Sequence, residues 1–467
     1  MSKPKVTVYI LSHNYAQYLP QAVESVLNQL YTDWELLLID DGSDDDSARI
    51  MERYAQADPE RIRVFSHHPA RGLTACANLA LGEARGDYII RLDADDYFDE
   101  SALLVLATYL DRHPEVGLVY PNYYYVNAAG DVLGVEDRKR IGHEVELLDL
   151  PAHGAGTMVR KRCLKALGGY NESYDRQDGY DLWLRFINRY PVANVGTALF
   201  YYRQHGDNLT RDNRKLLETR RRIQRDAVQR LQGDAKPRIL GIIPAKNTYE
   251  SLPDIVLRTL AGRPLIDYTL EVALEVAALD RLVVATDDPA VVAYVEERYP
   301  DVLALRRPDE LSSLKARLSQ VIAYTVDILE SEHSYYPDAV AMLSVHSPLR
   351  TAEHIASAID ALMLYPVDSV ISVYEDYTLH YIHAQRGLVP ANPGMHHHVR
   401  LEREALYVDN GAVKVAWRET IRPDDFLGER VGHVVMPFEE SFQIKSEFDC
   451  WLIERLLERR SQTKAAS

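Results

Sequence analysis

The sequence predicts an α/β chain of two three-layer domains joined by a charged helix. Two series of alternating strand and helix patterns carry this reading, with an Arg-rich segment between them. The length agrees: 467 residues hold two or three domains at roughly 150 residues each.

The first series opens with the apolar, β-branched run Val6–Leu11, a buried strand. Pro20, Ala22, Val23, Val26, Leu27 and Leu30 then mark a helix with one apolar stripe. Glu35–Ile39 is a second strand, ending in Asp40-Asp41-Gly42-Ser43. Arg61–Ser66 is a third strand, Leu73–Ala84 a helix and Tyr88–Leu92 a fourth strand, ending in Asp93-Ala94-Asp95-Asp96. Continuous apolar strands separated by helices predict a parallel sheet covered on both faces. Ligands of such sheets bind beyond the carboxyl ends of the strands, where both acidic clusters fall. Residues 211–236 are helical in composition and lack a broad apolar face. They read as a solvated connecting helix, with peripheral membrane contact of its basic face as the alternative. The second series follows Pro237. Its strands are Arg238–Ile243, Leu282–Ala285, Val302–Leu305, Ala339–Leu343 and Val370–Val373. Its helices are Leu265–Leu279, 317–330 and 352–364. The expected domains are therefore 1–210 and 237–467.

Composition narrows the function. Hydrophobic residues make up 46% and charged residues 26%, the balance of a globular protein. The net charge of −17 argues against nucleic-acid binding, which depends on neutralising phosphates. Cys76, Cys163 and Cys450 give neither a disulfide framework nor a zinc pattern, in keeping with a cytoplasmic location. No apolar run is long enough to span a bilayer. A homo-oligomer remains open.

Asp93 and Asp95, one residue apart past a buried strand, can grip a hard divalent cation and leave positions for phosphate oxygens. The plainer reading is a solvated turn capping the next helix. Context decides between them. The stretches VYILSHNYAQYLPQAVESVLNQLYTDWELLLIDDGSDDDS, RGLTACANLALGEARGDYIIRLDADDYF, GTMVRKRCLKALGGYNES, RQDGYDLWLRF and YYRQHGDNLT follow one another in order. Over these stretches the first half resembles the family 2 glycosyltransferases of the GT-A fold. The resemblance implies that Ser12, Asn14 and Tyr15 of the loop after the first strand, with Asp41, hold the nucleotide base and ribose. It implies that Asp93 handles the ribose, and that Asp95 and His205 complete a Mn2+ or Mg2+ site on the diphosphate. Inverting transfer also needs a carboxylate to take the acceptor proton. RQDGYDLWLRF offers Asp178 and Asp181. Asp178, at the loop end, is the preferred base, and Asp181 caps or braces the helix. The family commonly has a second acid or an aromatic where this chain has Gly179. Leu182 and Trp183 read as core, Gly168-Gly169-Tyr170 as a turn. His153 lines the acceptor site or is a structural histidine.

The second half resembles acylneuraminate cytidylyltransferases, through ILGIIPAKNTYESLP, LAGRPLIDYTLEVALE, RLVVATDDPAVVAYV, RRPDELSS, SVHSPLRTAEHIASAID and VDNGAVKVAW. Both halves thus imply Rossmann-like folds of the nucleotide-diphospho-sugar transferase type. Lys246, Arg307, Ser347, Arg350, Asn410 and Gly411 are the retained candidates for a nucleotide or acidic-sugar site. The family's charged residues are otherwise lost. Lys246 stands for an arginine, Ile255 for a lysine, Leu314 for an acid, and Gln443 and Lys445 for the two magnesium aspartates. A lysine in a magnesium position repels the ion. This half is expected to be catalytically silent. One alternative is a bifunctional enzyme that also activates a nonulosonic acid with CTP, and another is a non-catalytic nucleotide-binding scaffold. His396-His397-His398 reads as a surface loop.

The expectation is a glycosyltransferase moving a sugar from a nucleotide-diphospho-sugar to a glycan or glycoprotein hydroxyl in surface glycan synthesis.

Overall fold

The computed structural model describes residues 3–136, 153–174, 178–205, 213–232, 236–247, 252–313, 316–385, 387–391 and 406–466. Leu314 and the three histidines 396–398 lie outside these residues. The described chain divides into two compact units, between Ile223 and Gln224.

The first unit runs β1 (Val6–Ser12), α1 (Leu19–Leu27), β2 (Trp34–Asp41), α2 (Ser47–Ala57), β3 (Ile62–His67), α3 (Leu73–Glu83), β4 (Tyr88–Asp93), β5 (Tyr97–Phe98), α4 (Ala102–Arg112), β6 (Leu118–Val126), β7 (Val132–Glu136), β8 (Met158–Arg160), α5 (Lys161–Ala166), α6 (Asp178–Ile187) and β9 (Val192–Arg203). Its sheet has the order β3-β2-β1-β4-β8-β6-β9-β5, with β7 beside β6. β1 pairs in parallel with β2 and β4, in a register that sets Ser12 beside Asp40 and Leu11 beside Asp93. Alternate side chains of one strand enter opposite cores, which is why these strands read as unbroken apolar runs. Val8, Ile10, Leu36 and Leu38 meet Leu19, Val23 and Val26 of α1 and Leu106 of α4. Tyr9, Leu11, Leu37 and Ile39 meet Ala77 and Ala80 of α3 and Trp183 and Phe186 of α6. Pro20 stands in the first turn of α1, where a missing N–H costs nothing.

The sheet is parallel only in its first half. β8 enters antiparallel between β4 and β6, and β5 and β7 are also antiparallel to their neighbours. The long strands β6 and β9 were not expected. They carry Pro121, Asn122 and Asn194, and their pairing shifts register twice, which erases the period-two signal.

The long helix α7 (Asn213–Gln232) is not a solvated rod. Ile223, Gln224, Ala227 and Val228 are buried along one face at helical spacing. Arg222 donates to the Ser173 carbonyl and lies over the Tyr174 ring, and Arg220 lies over Tyr180. Long arginine stems cover apolar surface, so composition alone hid this face.

The second unit runs β10 (Ile239–Ala245), β11 (Thr259–Leu260), β12 (Arg263–Pro264), α8 (Leu265–Leu274), β13 (Leu279–Thr286), α9 (Pro289–Arg298), β14 (Leu303–Arg306), α10 (Leu318–Glu332), β15 (Ala339–Leu343), α11 (Ala352–Leu364), β16 (Ser369–Asp376), β17 (Tyr381–Ala384), β18 (Gly387–Pro390), β19 (Leu406–Trp417), β20 (Val431–Val435) and α12 (Glu447–Ala466). Its main sheet has the order β14-β13-β10-β15-β19-β16-β20, parallel from β14 to β15 and antiparallel on both sides of β19. The apolar pattern at 265–279 splits: α8 ends at Leu274, and Leu279 already belongs to β13. No described helix is long and apolar enough to cross a membrane.

Candidate active site

The carboxyl ends of β1, β2 and β4 lie side by side and deliver the first-half residues to one edge. Ser12 closes β1, buried, its hydroxyl 3.4 Å from Ser47 Oγ. Asn14 follows with φ +63°, its N–H donating to Ser43 Oγ at 2.9 Å while its Oδ1 accepts the Asp44 N–H at 2.8 Å. Asparagine is among the few side chains that adopt this left-handed backbone at low cost. Tyr15 and Tyr18 lean on the His205 ring, with centroids at 5.8 and 5.5 Å.

Asp41 ends β2. Its two oxygens accept the N–H groups of Arg71 and Gly72, each at 2.8 Å, and His67 Nδ1 stands at 3.1 Å. Burial pushes this carboxyl up, and those hydrogen bonds more than reverse it, leaving the pKa below the ordinary value.

Asp93 ends β4 and pairs with Arg91 Nε at 3.0 Å. Asp95 Oδ2 lies 2.8 Å from His205 Nε2, both side chains largely buried. Burial, and then the negative charge of Asp93, raises the Asp95 carboxyl above its usual range. Two acids and an imidazole crowded at one strand end fit a hard cation shared with a diphosphate. Asp95 and His205 are the pair in contact, and Asp93 is turned toward Arg91. Among the described residues, the three-donor group that closes within 4.8 Å is a different one, Asp41, His67 and Cys76.

Two residues escaped the sequence reading. Arg203, two positions before His205, is buried. It donates to the carbonyls of Asp95 at 2.7 Å and Ala128 at 2.9 Å and to Gln21 Oε1 at 2.7 Å. Its own N–H donates to Asp96 Oδ1 at 2.9 Å. Asp96 is 1% exposed, and its pKa is held well above the ordinary value, first by burial and then by Asp95 and Asp93. The Asp-Ala-Asp-Asp and Tyr-Tyr-Arg-Gln-His stretches held both signals, an extra acid and an extra base.

Asp178 opens α6, and its side chain lies outside the described residues. Asp181 is buried and grips Arg185 at 2.6 and 2.9 Å, while Arg185 also donates to the carbonyls of Leu167 and Gly169. Leu182 and Trp183 are core. Gly168 and Gly169 both have positive φ, as a turn requires. A small cavity of about 20 Å³ next to the start of α6 is lined by His153, Gly154, Tyr170, Gly179 and Trp183.

In the second unit, half-buried Lys246 follows β10. Arg307 is buried, with its guanidinium 3.8 Å from Asp287 and its Nε 3.2 Å from Ser312 Oγ. Arg350 is buried too and donates to the carbonyls of Ser344 and Ala412 at 3.0 and 2.8 Å. Its Nε and Nη2, like Ser347 Oγ, have no hydrogen-bond partner among the described residues, and burial lowers its pKa to about 9. Asn410 is consumed by Ser372, Ser441 and its own turn. Gly411 has φ +62°, and Gln443 packs where a Cβ would stand. Ile255 is fully buried, and Lys445 is exposed, its N–H bonded to Asp449.

The family profile described as Glycosyl transferase family 2 matches residues 7–164, and that described as Cytidylyltransferase matches 240–422. EpsE of Bacillus subtilis, named as a glycosyltransferase, is 33% identical over 222 residues, covering 45% of this chain and 77% of EpsE. The chain belongs to glycosyl transferase family 2. This glycosyltransferase is also 28% identical over 205 residues to chondroitin synthase of Escherichia coli, covering 44% of the chain and 30% of the synthase. It therefore spans under a third of that relative's length. Among solved structures, S. aureus TarS 1-349 in complex with UDP-GlcNAc has a TM-score of 0.41 at 18% identity, covering 48% of this chain and 66% of that one.

Proposed function

We propose that the first unit is an inverting, metal-dependent glycosyltransferase acting on a nucleotide-diphospho-sugar. The observation that supports this best is that Asp41 and Asp93 end strands on either side of β1 and that Asp95, just beyond, contacts His205. Asp41 and the loop carrying Ser12, Asn14 and Tyr15 hold the nucleoside. Asp93 faces the ribose. Asp95 and His205 would hold Mg2+ or Mn2+, whose chemistry when bound is to neutralise the diphosphate leaving group. Asp178, at the head of α6, takes the proton of the acceptor hydroxyl as it attacks the anomeric carbon from the opposite side. The small cavity beside it marks the side from which the acceptor approaches, and at about 20 Å³ it is too small to hold a sugar as it stands. Asp181 serves this machinery by bracing α6 through Arg185.

The second unit is read as a cytidylyltransferase fold that no longer activates a sugar. Ile255 and Lys445 supply neither a phosphate contact nor a metal ligand, while Arg350 and Ser347 keep polar groups for an anion. We read the pairing as serving the synthesis of surface glycans containing nonulosonic acids, with domains 1–210 and 237–467 joined in the chain through α7. Calorimetric screening of UDP- and GDP-sugars with manganese identifies the donor. Asp95→Ala is expected to abolish metal-dependent turnover with an unchanged melting curve, and near-normal turnover by that variant would refute the metal assignment.

A further inference from the structure

At the nucleotide edge Asp41 belongs to a cluster whose other two members, His67 and Cys76, the transfer chemistry leaves unused. Asp41 ends β2, His67 ends β3, and Cys76 sits in the first turn of α3. His67 Nδ1 is 3.1 Å from Asp41 Oδ1 and 3.4 Å from Cys76 Sγ, and donor atoms of all three lie within 4.8 Å of one another. One ring nitrogen faces both partners. A thiol catalyst divides its thiol and carboxylate between the two imidazole nitrogens, so this is not a nucleophilic relay. Convergence on a single point is what metal ligands do. Tetrahedral zinc bound by sulfur, nitrogen and oxygen at its usual bond lengths sets those donors about 3.4–3.6 Å apart. The separations of 3.1 and 3.4 Å are within a few tenths of an ångström of that spacing. The Asp41 carboxylate is already oriented by the N–H groups of Arg71 and Gly72, as outer-shell partners orient a ligand. A thiol and an imidazole beside one carboxylate favour zinc over magnesium or manganese.

We propose that Asp41, His67 and Cys76 form a binding site for a zinc-class divalent cation, separate from the Asp95–His205 pair, and that its occupation competes with the nucleotide for Asp41. The competition rests on reading Asp41 as a nucleoside ligand. The metal site does not.

Cobalt(II) titrated into the chelator-treated full chain reports the site directly. One equivalent is expected to give tetrahedral d–d bands and a sulfur-to-cobalt charge-transfer band, displaced by zinc. Cys76→Ser should remove the charge-transfer band, and Cys163→Ser and Cys450→Ser should keep it. X-ray absorption of the zinc-loaded wild type needs no variant, and one sulfur per zinc is expected. Absence of the charge-transfer band, its survival in Cys76→Ser, or a shell of nitrogen and oxygen alone overturns the site. For the competition, UDP and GDP binding is measured in magnesium with and without zinc at ten times its dissociation constant. About a tenfold loss of affinity is expected in the wild type, and little change in Cys76→Ser. Equal affinity with and without zinc, in a protein carrying the sulfur band, overturns the competition. A protein that binds neither nucleotide in either condition counts against the Asp41 reading, while cobalt and X-ray absorption still decide the metal site.

Discussion

Asp178 and Asp181 stand three residues apart at the head of one helix, and their surroundings separate them. Asp181 is spent on Arg185, buried and doubly bonded. Asp181→Asn breaks a buried ion pair and should lower unfolding free energy by about 3 kcal/mol, read by denaturant titration. Asp178→Asn should leave stability intact and cut transfer by at least about a hundredfold, the scale of a lost general base. A stable Asp181→Asn enzyme with the larger rate loss would reverse the two roles. Asp96 makes a pH prediction. Its folded pKa is raised well above 3.8. Below that ordinary value both folded and unfolded chains hold the proton, and ionisation costs the fold nothing. As pH rises, the unfolded chain releases its proton first, so stability falls until the folded carboxyl also ionises. Asp96→Asn should therefore gain on the wild type from pH 4 to pH 8, by at least about 1 kcal/mol or 3 °C in melting temperature, measured in chelator. A constant difference across that range would count against it. Asp93, Asp95 and Asp41 were legible in the sequence because each follows a buried strand. Arg203 was not. Its importance lies in four partners scattered from Gln21 to Ala128, which no local window contains.

Among the elements, the strands of the parallel halves were readable because burial on both faces leaves unbroken apolar runs. β6 and β9 were not, since their bulges and polar residues hide the alternation. The helix α7 was recognised as a helix and misjudged as solvated. Ile223 is fully buried in it, so Ile223→Ala should cost about 2–4 kcal/mol in a denaturant titration. A free connecting rod would lose well under 1 kcal/mol, within the range of surface substitutions. That measurement separates the packed helix from the linker.

At the scale of the whole chain, the question is whether two nucleotide-handling folds carry one activity or two. Ile255 is fully buried and carries no polar atom, so its side chain supplies no phosphate contact. The full chain should release no pyrophosphate from CTP above background with nine-carbon acidic sugars, with or without magnesium. Clear CMP-sugar formation would make the protein bifunctional. Formation only without magnesium would point to Lys445, whose charge costs a neighbouring cation about 4 kcal/mol at an effective dielectric near 20.

By itself the sequence determined that there are two α/β folds and that acids gather at the carboxyl ends of their strands. Both follow from local physics: apolar runs make buried strands, and the polar residue after a strand must sit at the sheet edge. Tertiary structure alone decided which acids are available. Asp41 is tied to two backbone N–H groups, Asp95 to His205, and Asp181 to Arg185, partners between 4 and 110 residues away. It also brought Cys76 and His67 to Asp41, because parallel strands place chain-distant ends side by side at one edge.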